Sequence, residues 1–198
     1  MKRTFDVTVA LLGLIVTSPV VLAAAIAVKL GSHGPAFYSG ARVGRNGAIF
    51  NMHKLRTMND GAESSGPAVT ARDDPRVTKV GRLLRRTKAD ELPQLLNVLK
   101  GEMSLVGPRP EHPQYVEHYT PEQRRLLAVR PGMTGPAALA FIDEEELLRG
   151  DQPEATYLKD VMPRKLELEM QYVDRATFGS DFRILLQTAA VVLRRAST

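Results

Sequence analysis

Val7-Thr-Val-Ala-Leu-Leu-Gly-Leu-Ile-Val-Thr-Ser-Pro-Val-Val-Leu-Ala-Ala-Ala-Ile-Ala-Val28 carries no charged side chain. About 22 such residues, wound as a helix, reach across a hydrocarbon core. Three readings compete: a signal peptide, a straight transmembrane helix, and a re-entrant helix that enters and leaves on one side. Lys2 and Arg3 resemble a signal n-region, and Ala23 to Ala27 offers small residues for cleavage, but the apolar run exceeds an ordinary h-region. Ser18-Pro19 lies near the middle, where proline removes a backbone donor and bends a helix. Lys2 and Arg3 flank one end and Lys29, Arg42, Arg45, Lys54 and Arg56 the other, so the positive-inside rule gives no orientation. A hairpin with both ends cytoplasmic removes that conflict. Asp6, at the lip, needs a partner, and Lys2 and Arg3 are the nearest candidates.

Outward from this segment, the 198 residues suit one compact domain beside the membrane helix, with 43% hydrophobic and 25% charged residues. A formal charge of +5 suits an anionic partner such as lipid headgroups or phosphorylated substrates. The absence of cysteine excludes disulfides, thiolate metal sites and a cysteine nucleophile. Gly31 to Pro35 breaks the first helix, Ala36 to Tyr38 is predicted extended, Gly44 to Gly47 forms a turn, and Ile49 to Met58 is predicted as a second strand. Residues 59 to 75 read as a mobile surface loop. Val77 to Arg86 places apolar residues at helical spacing among Lys79, Arg82, Arg85 and Arg86, a basic amphipathic helix suited to anionic lipid. A second helix is predicted from about Thr87, with Asp90 in a capping-box-like spacing and Gly101 at its end. Glu102 to Pro113 and Arg130 to Pro136 read as rigid loops, with Pro121 to Val129 a short helix between them. The tail reads as two helices, Ala155 to Asp174 and Asp181 to Arg195.

Asp90 and Glu91, by position alone, look like acidic residues of a first helical turn. Their setting suggests more: Arg82, Arg85, Arg86 and Lys88 precede them and Pro108-Arg109-Pro110 comes after. A carboxylate attacks phosphorus only where the phosphoryl charge is neutralised by Arg, Lys or a divalent metal. At a helix N-terminus Asp90 is expected to stay ionised, available as nucleophile or as a ligand for Mg²⁺. Glu91 projects about 100° away along a helix, so different roles are natural. Arg109, stiffened by a proline on each side, presents a planar fork to a phosphate or base edge. His33, His53, His112 and His118 show no zinc-ligand spacing, and there is no Gly-x-Ser-x-Gly elbow and no Walker or dinucleotide glycine loop. Aromatics at 6% are too scattered for base stacking, so nucleic acid is not an expected partner.

Asp90-Glu-Leu-Pro-Gln-Leu-Leu-Asn-Val-Leu-Lys-Gly-Glu-Met-Ser-Leu-Val-Gly-Pro-Arg-Pro110 closely resembles the bacterial sugar transferases called monotopic phosphoglycosyl transferases. The resemblance extends to Lys2-Arg3-x-x-Asp6, Ser18-Pro19, Arg42-Val43-Gly44, Lys54 to Met58, Arg130 to Gly135, and Lys165, Tyr172 and Asp181 in the tail. It implies a mainly α fold with a small β element: a re-entrant membrane helix-break-helix over 1–30, broken at Ser18-Pro19, and a cytoplasmic catalytic domain over 31–198 with amphipathic interfacial helices. Lys2, Arg3, Asp6, Ser18 and Pro19 would anchor it in the inner membrane, the catalytic domain facing the cytoplasm on anionic headgroups. The implied chemistry takes a UDP-sugar donor, a polyprenol (undecaprenyl) phosphate acceptor and Mg²⁺, and releases UMP by a ping-pong route. Asp90 would be the nucleophile and Glu91 its assistant, with Asp90 also meeting the metal; Arg85 would hold phosphate, Pro108, Arg109 and Pro110 would recognise the nucleotide, and Lys54 and Arg56 would lie close by. An inactive membrane scaffold of the same fold, or a hydrolase using the same carboxylate, is the rival reading, and a homo-oligomer is left open. The chain departs from the family at Gly40 and Leu55, and after Gly135, where Pro136 to Phe141 and the acidic Asp143 to Glu146 replace a Trp-Ala-Gln-Val-Asn-Gly-like stretch. The sugar is therefore left open.

Overall fold

The computed structural model describes residues 1–196. It is mainly helical with two small sheets: α1 (Lys2–Gly31), β1 (Phe37–Val43), β2 (Ile49–Leu55), α2 (Lys79–Thr87), α3 (Gln94–Lys100), β3 (Ser104–Val106), α4 (Pro113–Val116), β4 (Gly132–Thr134), α5 (Pro136–Ala140), α6 (Glu144–Leu147), α7 (Pro153–Thr156), α8 (Met162–Arg175) and α9 (Phe178–Ala196).

The expected break in the first helix is absent: α1 is one continuous helix with Pro19 inside it. Proline leaves the carbonyl four residues earlier without its amide donor. Ser18 replaces that donor locally, its hydroxyl donating to the Ile15 carbonyl at 2.9 Å. At 1.5 Å per residue the helix is about 45 Å long.

The inner face of α1 is buried against the rest of the protein near its two ends. Near the start, Asp6 is buried and Ala10 joins Phe50, Met52, Val98 and Met103 in an apolar cluster. Near the end, Ala24, Ala25 and Val28 pack with Leu55 and Leu84. Between them, a methyl added at Gly13 would meet Leu95 at 3.2 Å, so the backbone lies close against α3. Burying Leu55, which is 1% exposed, contributes roughly 2 kcal/mol. The opposite face exposes Leu11, Leu12, Ile15, Val16, Leu22 and Ile26. Phe178, Phe182 and Leu186 of α9 are exposed at helical spacing, and Phe178 meets Phe5 edge to face, with ring centroids 5.2 Å apart.

Asp6 does not pair with Lys2 or Arg3. Its carboxylate accepts the Ser104 hydroxyl at 2.8 Å and the Leu105 amide at 3.3 Å. Lys2 pairs instead with Asp181 of α9, and Arg3 donates to the Val98 and Leu99 carbonyls at the end of α3. A cation there complements the helix dipole and fills orphan acceptors. The three residues thus bind the helix to the domain.

β1 and β2 form an antiparallel hairpin in register from Phe37↔Leu55 to Val43↔Ile49. Gly40 leaves room for the Tyr38 hydroxyl, which would lie 2.5 Å from any Cβ there. β3 and β4, both in stretches expected to be loops, pair in parallel. Residues 59–75 contain a short 3-10 turn, Ala62–Ser65, and Arg76 ties the segment down through Asp74 and the Ala62 and Pro67 carbonyls. The tail starts as α7, continues through a π turn at Tyr157–Val161 into α8, and restarts at α9, where Thr177 and Ser180 cap one another through side chain and amide.

Candidate active site

Asp90 and Glu91 do not open an α-helix. α2 ends at Lys88, whose left-handed backbone (φ 58°) reverses the chain into a 3-10 turn, Ala89–Glu91, before α3 begins. Thr87 does not cap that turn, because its hydroxyl donates back to the Leu83 and Leu84 carbonyls of α2. The turn wedges Asp90 into the interior, where it is 5% exposed and its Oδ1 has no hydrogen-bond partner. Burial raises the Asp90 carboxyl above the ordinary aspartate value, with the charge of Glu91 adding to the effect and Lys54, Lys88 and Arg85 opposing it. Asp90 lies in a 3-10 turn and not, as expected, in the first turn of an α-helix, where it would gain from the helix dipole.

Glu91 has the opposite environment. Its Oε1 accepts from Lys54 Nζ at 3.1 Å and from Arg109 Nη2 at 2.9 Å. Burial alone would raise this carboxyl, but Arg109, Lys54 and Lys88 hold it well below the usual range. Arg109 is correspondingly raised, chiefly by Glu91, whereas burial lowers Lys54 despite both carboxylates. Two adjacent acids are thus pushed apart: one fixed as a paired anion, the other desolvated and unpartnered.

Arg85 comes within electrostatic reach of Asp90 and is held by Thr57 Oγ1 at 2.9 Å, with its guanidinium on Glu145 at 2.7 Å. Arg56, expected near the site, is not brought to the pair. Its guanidinium donates to the Pro35, Met58 and Ser32 carbonyls, holding the connection between α1 and β1. Pro108 accepts the Gly132 amide at 2.8 Å, which ties the Pro108-Arg109-Pro110 loop to β4. The acidic run after α5 is also absorbed into ion pairs: Asp143 with Arg195, Glu144 with Lys165, Glu145 with Arg85 and Glu146 with Arg72. Glu169 belongs to no motif that the sequence displays; its one signal there is Lys165, one turn earlier on the same helix. It is buried, accepts the Arg109 amide at 3.2 Å, and burial raises its carboxyl to about 7.

No group of three or more His, Cys, Asp or Glu among the described residues forms a ready metal cage. Mg²⁺ does not require one, since it binds through one or two carboxylates plus water and substrate phosphates. The orphaned Oδ1 of Asp90 fits such a half-made site.

The sequence model of the bacterial sugar transferase family matches residues 1–195. The chain belongs to this family. Among curated relatives of this sugar transferase, the UDP-glucose:undecaprenyl-phosphate glucose-1-phosphate transferase of Caulobacter vibrioides is 40% identical over 97% of this chain and 69% of its own length. The uncharacterized sugar transferase EpsL of Bacillus subtilis is 40% identical over 98% of this chain and 87% of its own length. The undecaprenyl-phosphate galactose phosphotransferase of Salmonella typhimurium is 37% identical over 98% of this chain and 41% of its own length.

Proposed function

We propose that this sugar transferase moves sugar-1-phosphate from a UDP-sugar to undecaprenyl phosphate, initiating polysaccharide synthesis, through a covalent intermediate on Asp90. The relatives are named for this overall transfer with glucose and with galactose, so the sugar itself is not assigned. The observation that carries the covalent route is the buried, unpartnered Oδ1 of Asp90 beside the Glu91–Arg109–Lys54 cluster.

Asp90 attacks the phosphorus that bears the sugar, the bond from that phosphorus to the bridging oxygen breaks, and UMP leaves. An oxygen of undecaprenyl phosphate then attacks the same phosphorus and restores the Asp90 carboxylate, giving undecaprenyl-diphosphate-sugar. Arg85 and Lys54 supply fixed positive charge around the diphosphate, and Arg109 is oriented by Glu91. Asp90 would hold Mg²⁺, which when bound supplies further charge to the diphosphate oxygens.

Purified enzyme mixed with UDP-sugar in the absence of acceptor lipid is expected to release about one UMP per protein and to retain the sugar-phosphate on the chain. Release that continues past one equivalent at the full rate, or that begins only when lipid is added, would exclude the two-step route.

The membrane arrangement belongs to the same proposal. An α1 docked at both ends on one domain supports a monotopic protein on the cytoplasmic face, its outer apolar face in one leaflet beside the exposed stripe of α9. The chain has no native thiol, so cysteines placed at exposed Thr4 and His33 report topology cleanly. Both are expected to react with an impermeant maleimide from the cytoplasmic side only; labelling from opposite sides would show a crossing.

A further inference from the structure

Pro108-Arg109-Pro110 contains a single backbone N–H, because proline has none. That one amide, on Arg109, is donated to Glu169 Oε1 at 3.2 Å. From the same residue the side chain reaches Glu91 at 2.9 Å, and Glu91 in turn holds Lys54. Glu169 comes from α8, far along the chain, and is only 3% exposed. Lys165, the cation one turn earlier, does not hydrogen-bond to it: its ammonium donates to Glu144 at 2.8 Å and to the Tyr157 hydroxyl at 3.2 Å. The other oxygen, Oε2, is buried without a hydrogen-bond partner.

A buried carboxylate costs free energy that an apolar residue of similar size would not. Among the described residues, its one hydrogen bond goes to the loop amide that places Arg109. We propose that Glu169 is a positioning residue for sugar-phosphate transfer, fixing the Pro108-Arg109-Pro110 loop through its only amide so that the Arg109 guanidinium meets Glu91. Glu169 touches neither carboxylate of the reacting pair and acts through Arg109. The inference rests on the reading that Asp90 and Glu91 form the transfer site.

The experiment is a double-mutant cycle on the full chain in lipid nanodiscs, with UDP-glucose and UDP-galactose each tried as donor, undecaprenyl phosphate as acceptor and UMP release as the signal. Glu169→Leu removes the acceptor while keeping bulk, and is expected to lower kcat/KM by about 10- to 100-fold, the penalty typical of a misplaced catalytic contact. Glu169→Gln keeps a carbonyl acceptor and is expected to stay within about threefold of wild type. In an Arg109→Ala background the Glu169→Leu loss should shrink to less than about twofold, because the side chain it positions is gone. A purely structural role would instead give losses that add. Wild-type activity in Glu169→Leu, equal losses for Leu and Gln, or additive losses in the double variant would each overturn the assignment. Should Glu169→Leu fail to fold, the Gln variant still decides: a fall of more than tenfold overturns it. A wild-type enzyme that releases no UMP would remove the functional reading and this assignment with it, whereas active wild type with an indifferent Glu169→Leu removes the assignment alone.

Discussion

Asp90→Asn is expected to lower sugar-phosphate transfer by at least about a thousandfold, the scale of loss when a covalent nucleophile is removed. The amide matches the carboxylate in shape but cannot form the phosphoryl ester. Folding should not suffer. Asp90 is 5% exposed, one of its oxygens lacks a partner, and burial already disfavours its charge, so a neutral residue there removes a cost. The variant should melt at or above the wild-type midpoint in nanodiscs while failing both to release UMP and to retain labelled sugar-phosphate. Turnover within tenfold of wild type would remove Asp90 as nucleophile. A lower melting point with lost activity would instead point to a structural role for the carboxylate.

The pairing of lost activity with retained stability separates Asp90 from its neighbour. Glu91 is held by two cations, and neutralising it would strand both Lys54 and Arg109. Adjacent letters therefore have opposite energetic meanings. The sequence displays the two acids and the surrounding cations, but their contrast comes from Lys54 of the hairpin and Arg109 of the loop, contacts set by tertiary packing rather than by local spacing. Lys88 adds to this, since a left-handed lysine turns the expected helix start into a 3-10 turn and buries Asp90. No glycine or asparagine marks that reversal.

Length and composition make α1 legible, whereas its docking does not follow from them. The partners of Asp6 lie in β3, and those of Arg3 at the end of α3, both distant in sequence. Proximity along the chain favours Lys2 and Arg3 instead. Ser18-Pro19 places a proline inside the apolar run, but the serine hydroxyl satisfies the carbonyl that proline leaves free, and the helix continues. The short strands β3 and β4 are hidden for a different reason. Three residues are too few for an alternating pattern, and glycine and proline around them signal turns. Their glycines serve close approach of two backbones.

Gly132→Ala exposes that role and is expected to be among the most damaging conservative changes outside the reacting pair. A Cβ there would lie 2.1 Å from the Gly107 amide nitrogen and 2.6 Å from the Thr134 carbonyl oxygen, both backbone atoms that cannot swing aside. To make room, β3 and β4 must separate, breaking the hydrogen bond that the Gly132 N–H donates to the Pro108 carbonyl and the one that the Gly107 N–H donates to the Thr134 carbonyl. Overpacking together with lost buried hydrogen bonds should destabilise the protein by about 3 kcal/mol or more. Gly47→Ala is the matched control. Its Cβ meets nothing within 4 Å, but φ is +78°, so the change should cost about 1 kcal/mol through backbone conformation alone and leave transfer unchanged. Denaturant unfolding and UMP release on both variants give the comparison. Because Pro108 adjoins Arg109, the Gly132 variant should lose transfer even under conditions where it remains folded; equal stability of the two variants, or full activity in folded Gly132→Ala, would show that the loop is not held by this backbone contact.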